Sequence, residues 1–423
     1  MTEREFATDV VARLQIAGFE ALFAGGCVRD ELLGIEPADF DIATSATPDQ
    51  VKQHFKRCHS FGASFGVVEV LGPRDPHGEW LKVQVATFRS DGTYTDGRRP
   101  DTVVFSSPEE DAARRDFTIN GLFRDPITGK VFDYVGGERD LRFKVLRAIG
   151  DPAKRFEEDK LRILRAVRMA ARFELTIDPA TLAAAKAMAP LIAAVSAERI
   201  AEELRKILTN EHRVRGVRLL GEFGLLPHIL PELMNVERAA ETLVWLESGG
   251  TSSPSSLVAG GRCHPAFCLA LTAILPQLDH PQVISLVSRL KLSNEERDRI
   301  AWLNKHRQSL VHASELPRSI LYPVLAHPGS WELVALHLAD ARTNHLEPGG
   351  ANFCERVLQN VSPEILNPLP FVTGDDLVAM GMKPGREFKR ILDTIRNLQL
   401  DGELTTPEEA KQKAQKLSNE SAR

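Results

Sequence analysis

Ala24 Gly25 Gly26 Cys27 Val28 Arg29 Asp30, followed after a short gap by Asp39 Phe40 Asp41 Ile42 Ala43 Thr44, is the stretch whose reading decides the fold. Residues two apart in an extended strand point to the same face, so Asp39 and Asp41 present both carboxylates to one site. Two acceptor-only groups side by side repel each other unless a cation lies between them. Mg²⁺ meets that need, because it takes one or two carboxylates and completes its shell with water and phosphate oxygens. Gly25 and Gly26 lack the Cβ that would hold a phosphate away from the backbone, and Arg29 offers a guanidinium that can fork onto phosphate oxygens.

Two further motifs follow. Arg114 Arg115 Asp116 Phe117 Thr118 Ile119 Asn120 Gly121 comes after Ser106 Ser107 Pro108 Glu109 Glu110 Asp111, and Arg155 Phe156 Glu157 Glu158 Asp159 Lys160 Leu161 Arg162 continues through Arg165 and Arg168. Helical spacing puts Asp159 and Arg162 on one face and lines up Arg162, Arg165 and Arg168 as a basic stripe. The plainer reading of the Asp159 and Arg162 pair is a surface ion pair of about 0.3 to 0.5 kcal/mol. The sharper one is base recognition: an Asp acceptor beside an Arg donor matches the exocyclic amine and adjacent ring nitrogen common to cytosine and adenine. Guanine and uracil present the opposite order, and each mismatched buried group costs roughly 1 to 3 kcal/mol.

The order and spacing of these motifs resemble the bacterial, class II branch of tRNA nucleotidyltransferases and poly(A) polymerases, within the DNA polymerase beta superfamily. The resemblance runs from Phe23 to about Arg172. It returns near the C-terminus in Val372 Thr373 Gly374 Asp375 Asp376 Leu377, Gly381 Met382 Lys383 Pro384 Gly385 and Leu400 Asp401 Gly402 Glu403 Leu404. For that last region a capped helix with turns is an equal alternative. The resemblance implies an α+β chain: a DNA polymerase beta-like head with a mixed sheet over residues 1–143, then an all-α neck (144–212), body (213–330) and tRNA-binding tail (331–423).

It also implies roles. Asp39 and Asp41 are the expected catalytic Mg²⁺ ligands, with Gly25, Gly26, Arg29 and Arg115 at the triphosphate. Asp116 and Asn120 are expected at the ribose, where an ion pair pinning a helix to the sheet is the alternative for Asp116. Asp159, Arg162, Arg165 and Arg168 are expected at the base. The implied activity is template-independent addition of C, C and A to the tRNA 3′ end from CTP and ATP. A poly(A) polymerase or an A-adding enzyme is the nearest alternative, and a catalytically silent RNA-binding protein is the alternative of another class.

Three details qualify the match. Asp91 to Pro100 occupies the place of the family's flexible loop, which favours an enzyme able to add A. In Val83 Gln84 Val85 Ala86 Thr87 Phe88 Arg89, Gln84 stands where relatives carry a third carboxylate, so either two carboxylates suffice, the favoured reading, or Glu69 contributes. The chain has no His-Asp doublet, which argues against an added phosphohydrolase activity.

Composition sets the outer bounds. A chain of 423 residues exceeds one ordinary core, and hydrophobic content of 43% with charged content of 26% is that of a globular protein. The most apolar stretch, Ala180 to Val195, is interrupted by Lys186 and Pro190, so no membrane span is expected. The opening residues do not read as a signal peptide, and five unevenly spaced cysteines suit reduced thiols in the cytoplasm. Cys263, His264 and Cys268 read as ordinary residues rather than a metal site. Net charge of −5 excludes a general nucleic-acid coat, and no DNA partner is expected. From Arg139 to Arg172, however, eleven Lys or Arg stand against five Asp or Glu, which suits a defined RNA or nucleotide site.

Strand patterns are expected at Ala21–Ala24, Gly66–Leu71 and Trp80–Phe88, with a turn at Gly72 to Pro76 and a helix over Phe6–Gly18. Helical spacing dominates from Asp159 onward, and Glu247 to Arg262 reads as a loop or insertion.

Overall fold

The computed structural model describes the chain apart from residues 61–65, 77, 92–102, 249–264, 383–384 and 422–423. Most of the expected Asp91–Pro100 loop, the Glu247–Arg262 loop together with Cys263 and His264, and Lys383 and Pro384 fall outside the described residues. Contacts divide the chain into two compact units, Met1–Pro231 and Glu232–Arg423.

The first unit opens with α1 (Glu3–Ile16), started by a Thr2–Glu5 capping box and burying Phe6, Val10, Val11 and Leu14. The chain then runs through β1 (Ala21–Ala24), α2 (Gly26–Leu32), β2 (Asp41–Thr44), α3 (Pro48–His54), β3 (Cys58–Ser60), β4 (Val67–Arg74) and β5 (Trp80–Thr87). A short ribbon of β6 (Arg89–Asp91) and β7 (Val103–Phe105) leads into α4 (Pro108–Ala113) and a 3₁₀ turn at Thr118–Asn120. Next come β8 (Leu122–Arg124), β9 (Val131–Asp133) and α5 (Gly137–Arg142). The main sheet has seven strands in the order β3-β4-β5-β2-β1-β8-β9. Only the β2–β5 pair in it is parallel, so the sheet is mixed, as expected.

Of the turn expected over Gly72 to Pro76, Gly72 to Arg74 continue β4, and the chain turns from Asp75, whose carbonyl accepts from Gly78 N at 3.0 Å. Gly72 sits under the Phe6 ring, where a Cβ would approach ring carbons at 2.8 Å, so packing of α1 keeps this segment on the sheet. Register carries the more important consequence. Asp41 pairs with Gln84, Gln84 with Glu69, and Glu69 with His59, one row of side chains sharing a face across four strands.

Helices then take over. β10 (Val145–Leu146) precedes α6 (Pro152–Glu158) and α7 (Leu161–Arg172); β11 (Thr176–Ile177) precedes α8 (Pro179–Met188), α9 (Ala197–Leu208) and α10 (Arg213–Glu222). α7 buries Leu161, Ile163, Leu164, Ala166, Val167 and Met169, leaving Arg162, Arg165, Arg168 and Arg172 on its half-buried face. The break between α6 and α7 corrects one expectation. Asp159 is extended (φ −145°, ψ 104°), so it does not share a continuous helix with Arg162; its carboxylate accepts from Leu161 N at 3.1 Å.

The second unit has only helices and connecting loops among its described residues, with a packed cluster around Leu303, Leu310, Leu321, Leu333 and Leu336. Towards its end, Thr373 and Asp376 form a capping box at the helix Gly374–Ala379, and Gly402 in the left-handed region (φ 81°) closes the helix Arg386–Asp401. The capped helix expected on one of the two readings of this region is present. No described helix is long and apolar enough to cross a membrane.

Gly137 gives the tightest test of the packing that positions the site. α5 presses on the 3₁₀ turn so closely that a Cβ on Gly137 would stand 2.2 Å from the Thr118 carbonyl oxygen. Gly137→Ala is expected to cost about 1 to 3 kcal/mol in urea denaturation, whereas Gly349→Ala, whose Cβ meets nothing within 4 Å, should be neutral or stabilising. Equal stability of the two variants would refute the tight contact.

Candidate active site

Gly25, the N-cap of α2, has φ 75°, and a Cβ there would sit 2.5 Å from Arg115 Nη1. The backbone angle therefore favours glycine, and a Cβ would also displace the Arg115 guanidinium. Gly26 is open, with Arg29 Nη2 nearest to a hypothetical Cβ at 3.6 Å. Facing this turn, Asp39 and Asp41 are exposed while Phe40 between them is buried against Phe23, so the two carboxylates do share a side even though β2 begins only at Asp41.

These groups line one cleft of about 530 Å³. Its walls are Gly25, Gly26, Arg29, Asp30, Ala38, Asp39, Asp41, Arg114, Arg115, Asp116, Asn120, Asp159, Arg162, Arg165, Arg168, Met169 and Arg172. Every residue expected at the site from the sequence is in this set. Seven arginines against five aspartates give the cleft a cationic balance suited to a polyanion.

The arginines are held by specific partners. Asp111, buried behind the cleft, binds Arg114 through its Oδ1 (2.6 Å) and Arg115 through its Oδ2 (2.9 Å). Burial alone would raise its carboxyl, but the two guanidiniums outweigh it and hold the group below the usual range. Arg115 also lies 5.0 Å over the Phe123 ring. Asp116 is more deeply committed: its Oδ1 accepts from Phe117 N (2.8 Å) and Asn120 Nδ2 (2.9 Å), and its Oδ2 pairs with Arg165 at 2.6 Å. Burial again opposes ionisation, yet Arg165 and Asn120 keep Asp116 well below the usual carboxylate range.

Arg29 stands differently from the expectation of a free fork. It is buried, donates to Asp30 Oδ1 at 2.7 Å and to Asn120 Oδ1 at 2.5 Å, and lies 4.4 Å over the Phe173 ring. It therefore braces the cleft wall.

At the other end, Arg162 donates to Glu158 Oε2 (2.5 Å) and to the carbonyl oxygens of Arg155 and Arg114. Asp159 is gripped by Arg199 of α9 through both oxygens, at 3.2 and 2.7 Å, and Arg168 pairs with buried Glu203 at 2.6 Å. Asp159 and Arg162 thus reach the cleft through separate supports. Sequence reasoning missed Asp111, Arg199 and Glu203. The spacing of Asp111 to Arg114 and Arg115 was a readable helical signal, but nothing local links Arg199 to Asp159 forty positions earlier.

Asp39 and Asp41 contrast with all of these, since neither carboxylate accepts a hydrogen bond or ion pair from the described residues. Desolvation first, and the Asp39 charge second, push the Asp41 carboxyl up to about 6 against the partial relief of Arg115. Two hard oxygen donors that lack a protein cation fit a divalent ion. Gln84 occupies the neighbouring register position, and Glu69 lies one strand further, so that its backbone is roughly 9 to 10 Å from that of Asp41 at two strand spacings. Cys27, beside the glycines, is buried and its thiol is pushed up to about 12, which leaves it inert.

A mixed sheet that presents paired aspartates beside a glycine turn, with arginines facing them, defines a nucleotidyltransferase. Residues 21–147 match the model of the poly A polymerase head domain, and residues 174–236 that of the probable RNA and SrmB-binding site of polymerase A. A CCA-adding enzyme of Levilactobacillus brevis is 34% identical over 409 residues, 95% of each chain. Poly(A) polymerase I of Haemophilus influenzae is 34% identical over 282 residues, 62% of this chain and 60% of that protein. The crystal structure of the Bacillus stearothermophilus CCA-adding enzyme in complex with CTP superposes with a TM-score of 0.77 at 26% identity, covering 100% of this chain and 99% of that one. The chain belongs to the family of CCA-adding enzymes and bacterial poly(A) polymerases.

The unpaired aspartates carry a stability signature. Because the Asp41 carboxyl lies above its ordinary 3.8, the folded chain binds that proton more tightly than the unfolded one. This group's contribution to metal-free stability therefore falls as pH rises from about 4 to 6 and stays low above that. Asp41→Asn removes the deficit. Without divalent ions it should be more stable than the parent by about 1 kcal/mol at about pH 7.5, after allowing for solvent access, and no different at about pH 4. Melting curves that coincide at both pH values would show that the site is not strained by charge.

Proposed function

We propose that this chain adds C, C and A to the tRNA 3′ end from CTP and ATP, without a nucleic-acid template. The observation that carries the reading is a single cleft with two unpaired carboxylates at one end and Asp159 with Arg162 at the other. Family membership and the likeness to CCA-adding enzymes over nearly the whole chain support it. The proposal includes the division into head (1–143), neck (144–212), body (213–330) and tail (331–423), and a cytoplasmic location, which the free state of Cys27, Cys58, Cys268 and Cys354 suits.

Asp39 and Asp41 are the residues that would hold Mg²⁺, which when bound supplies charge neutralisation at the triphosphate. Arg115, steered by Asp111, faces the phosphates, and the bare backbone at Gly25 and Gly26 lets them approach. Asn120 uses its Oδ1 for Arg29 and one Nδ2 hydrogen for Asp116, so one amide hydrogen is left for a ribose hydroxyl. Asp116 acts behind it, fixing Asn120 and Arg165.

Selection follows from the remaining hydrogen-bond capacity. Asp159 Oδ1 accepts from both Arg199 and the Leu161 amide, whereas Oδ2 keeps a lone pair beyond its bond to Arg199, enough to accept the exocyclic amine of C or A. Arg162 retains donors beyond those given to Glu158 and the two carbonyls, enough for the adjacent ring nitrogen. Uracil and guanine would set a carbonyl against Asp159. Arg165 and Arg168, pinned by Asp116 and Glu203, complete the cationic wall beside the base.

Poly(A) addition is a second reading, favoured by the match to poly(A) polymerase I. Transcripts of tRNA ending before, within and after CCA, incubated with each nucleotide and Mg²⁺ and sized to single residues, separate the two. CCA addition should stop at the terminal A; a growing A ladder would establish the rival. On the same substrates Asp39→Ala and Asp41→Ala should lose turnover. Asp159→Ala should narrow the preference for CTP and ATP over UTP and GTP about tenfold to a hundredfold, the worth of one charge-assisted hydrogen bond. Unchanged kcat/KM ratios in the Asp159 variant would place base selection elsewhere.

A further inference from the structure

The basic excess between Arg139 and Arg172 is only partly used by the cleft. Arg162, Arg165, Arg168 and Arg172 line it, whereas Arg139, Arg142 and Lys144 do not. These three cations are exposed, and among the described residues none has an ion-pair or hydrogen-bond partner for its charged group. Glu138, one turn before Arg142, makes no ion pair with it. This sets them apart from Arg147 nearby, which is paired with both Asp140 and Asp178. In their midst Phe143 is 66% exposed.

The placement is rigid. Arg139, Arg142 and Phe143 fall at i, i+3 and i+4, one side of α5 and its C-cap. Phe143 N donates to Arg139 O at 3.0 Å, and Lys144, in the left-handed region at φ 53°, turns the chain back so that its carbonyl accepts from Thr176 N at 2.7 Å. α5 is also anchored to the cleft wall: Asp140 accepts from Thr118 Oγ1 at 2.7 Å, on the same 3₁₀ turn that carries Asn120. An exposed aromatic face held among unpaired cations is the arrangement that takes a stacked base and its flanking phosphates.

We propose that Phe143, with Arg139, Arg142 and Lys144, forms a second RNA-contact surface outside the cleft, which stacks one unpaired nucleotide of the RNA substrate and neutralises its phosphates. The surface serves affinity for RNA and not nucleotide selection. The inference rests on the proposed RNA-directed function, and the alternative occupant of such a patch is a protein.

The test uses the full chain and a fluorescently labelled tRNA transcript ending before CCA. Phe143→Ala should weaken RNA binding roughly fivefold to a hundredfold, the worth of one stacked base. It should raise KM for the tRNA correspondingly and leave KM for CTP and kcat unchanged. Phe143→Trp should restore binding, which a merely structural role for the ring would not predict. The combined variant Arg139→Gln, Arg142→Gln, Lys144→Gln should lower the slope of log affinity against log salt by about 2, near 0.7 for each lost phosphate contact. Parental RNA affinity in Phe143→Ala overturns the proposal and leaves the patch to a protein partner, and an equal rise in KM for CTP overturns it by showing a disturbed cleft. If the parent protein itself neither binds the transcript nor extends it, the proposed function fails, and this surface with it.

Discussion

Asp116 is the interaction on which the site depends. It is buried, yet it stays ionised because Arg165, Asn120 and the Phe117 amide all donate to it. Removing one member of such a buried pair costs roughly 3 to 5 kcal/mol, since the survivor is stranded in low dielectric. Here the pair also has a geometric result. It joins the turn after α4 to the basic face of α7, and through Asn120 it reaches Arg29 and Asp30 at the glycine turn. Five polar residues from four segments are thereby locked into one network, which is satisfied internally and leaves little freedom at the cleft wall.

The same economy of pairing explains what is left unpaired. Arg114 and Arg115 have Asp111, Arg162 has Glu158, Arg168 has Glu203, and Asp159 has Arg199. Against this background Asp39 and Asp41 are conspicuous: neither carboxylate has an ion-pair partner among the described residues, and desolvation, with the Asp39 charge second, moves the Asp41 carboxyl upward against the relief from Arg115. Like charges left unpaired beside one another at a cleft are the usual compromise of stability for function. In the register the position beside Asp41 holds the neutral amide of Gln84, and Glu69 stands in the same row on the next strand over.

Much of this was legible in the chain. Period-two spacing put Asp39 and Asp41 on one side, the three-residue spacing of Arg162, Arg165 and Arg168 put them on one helix face, and the loss of strand pattern after Asp159 marked the change to helix. These are local regularities, set by backbone geometry whatever the tertiary contacts. Gly25 likewise announced a turn that favours glycine, which its φ of 75° bears out.

Tertiary structure decided the partners. Gly72 lies in a strand under the Phe6 ring, and Asp159 stands where α6 ends, with Arg199 of α9 holding it. Arg29 lines the cleft, as expected, but the fold also ties it to Asp30, Asn120 and Phe173, partners that the sequence did not announce. Residue type and spacing determine which groups share a face of one element. Which charge meets which across distant segments depends on how the elements pack, because buried ions must find partners wherever the chain brings them.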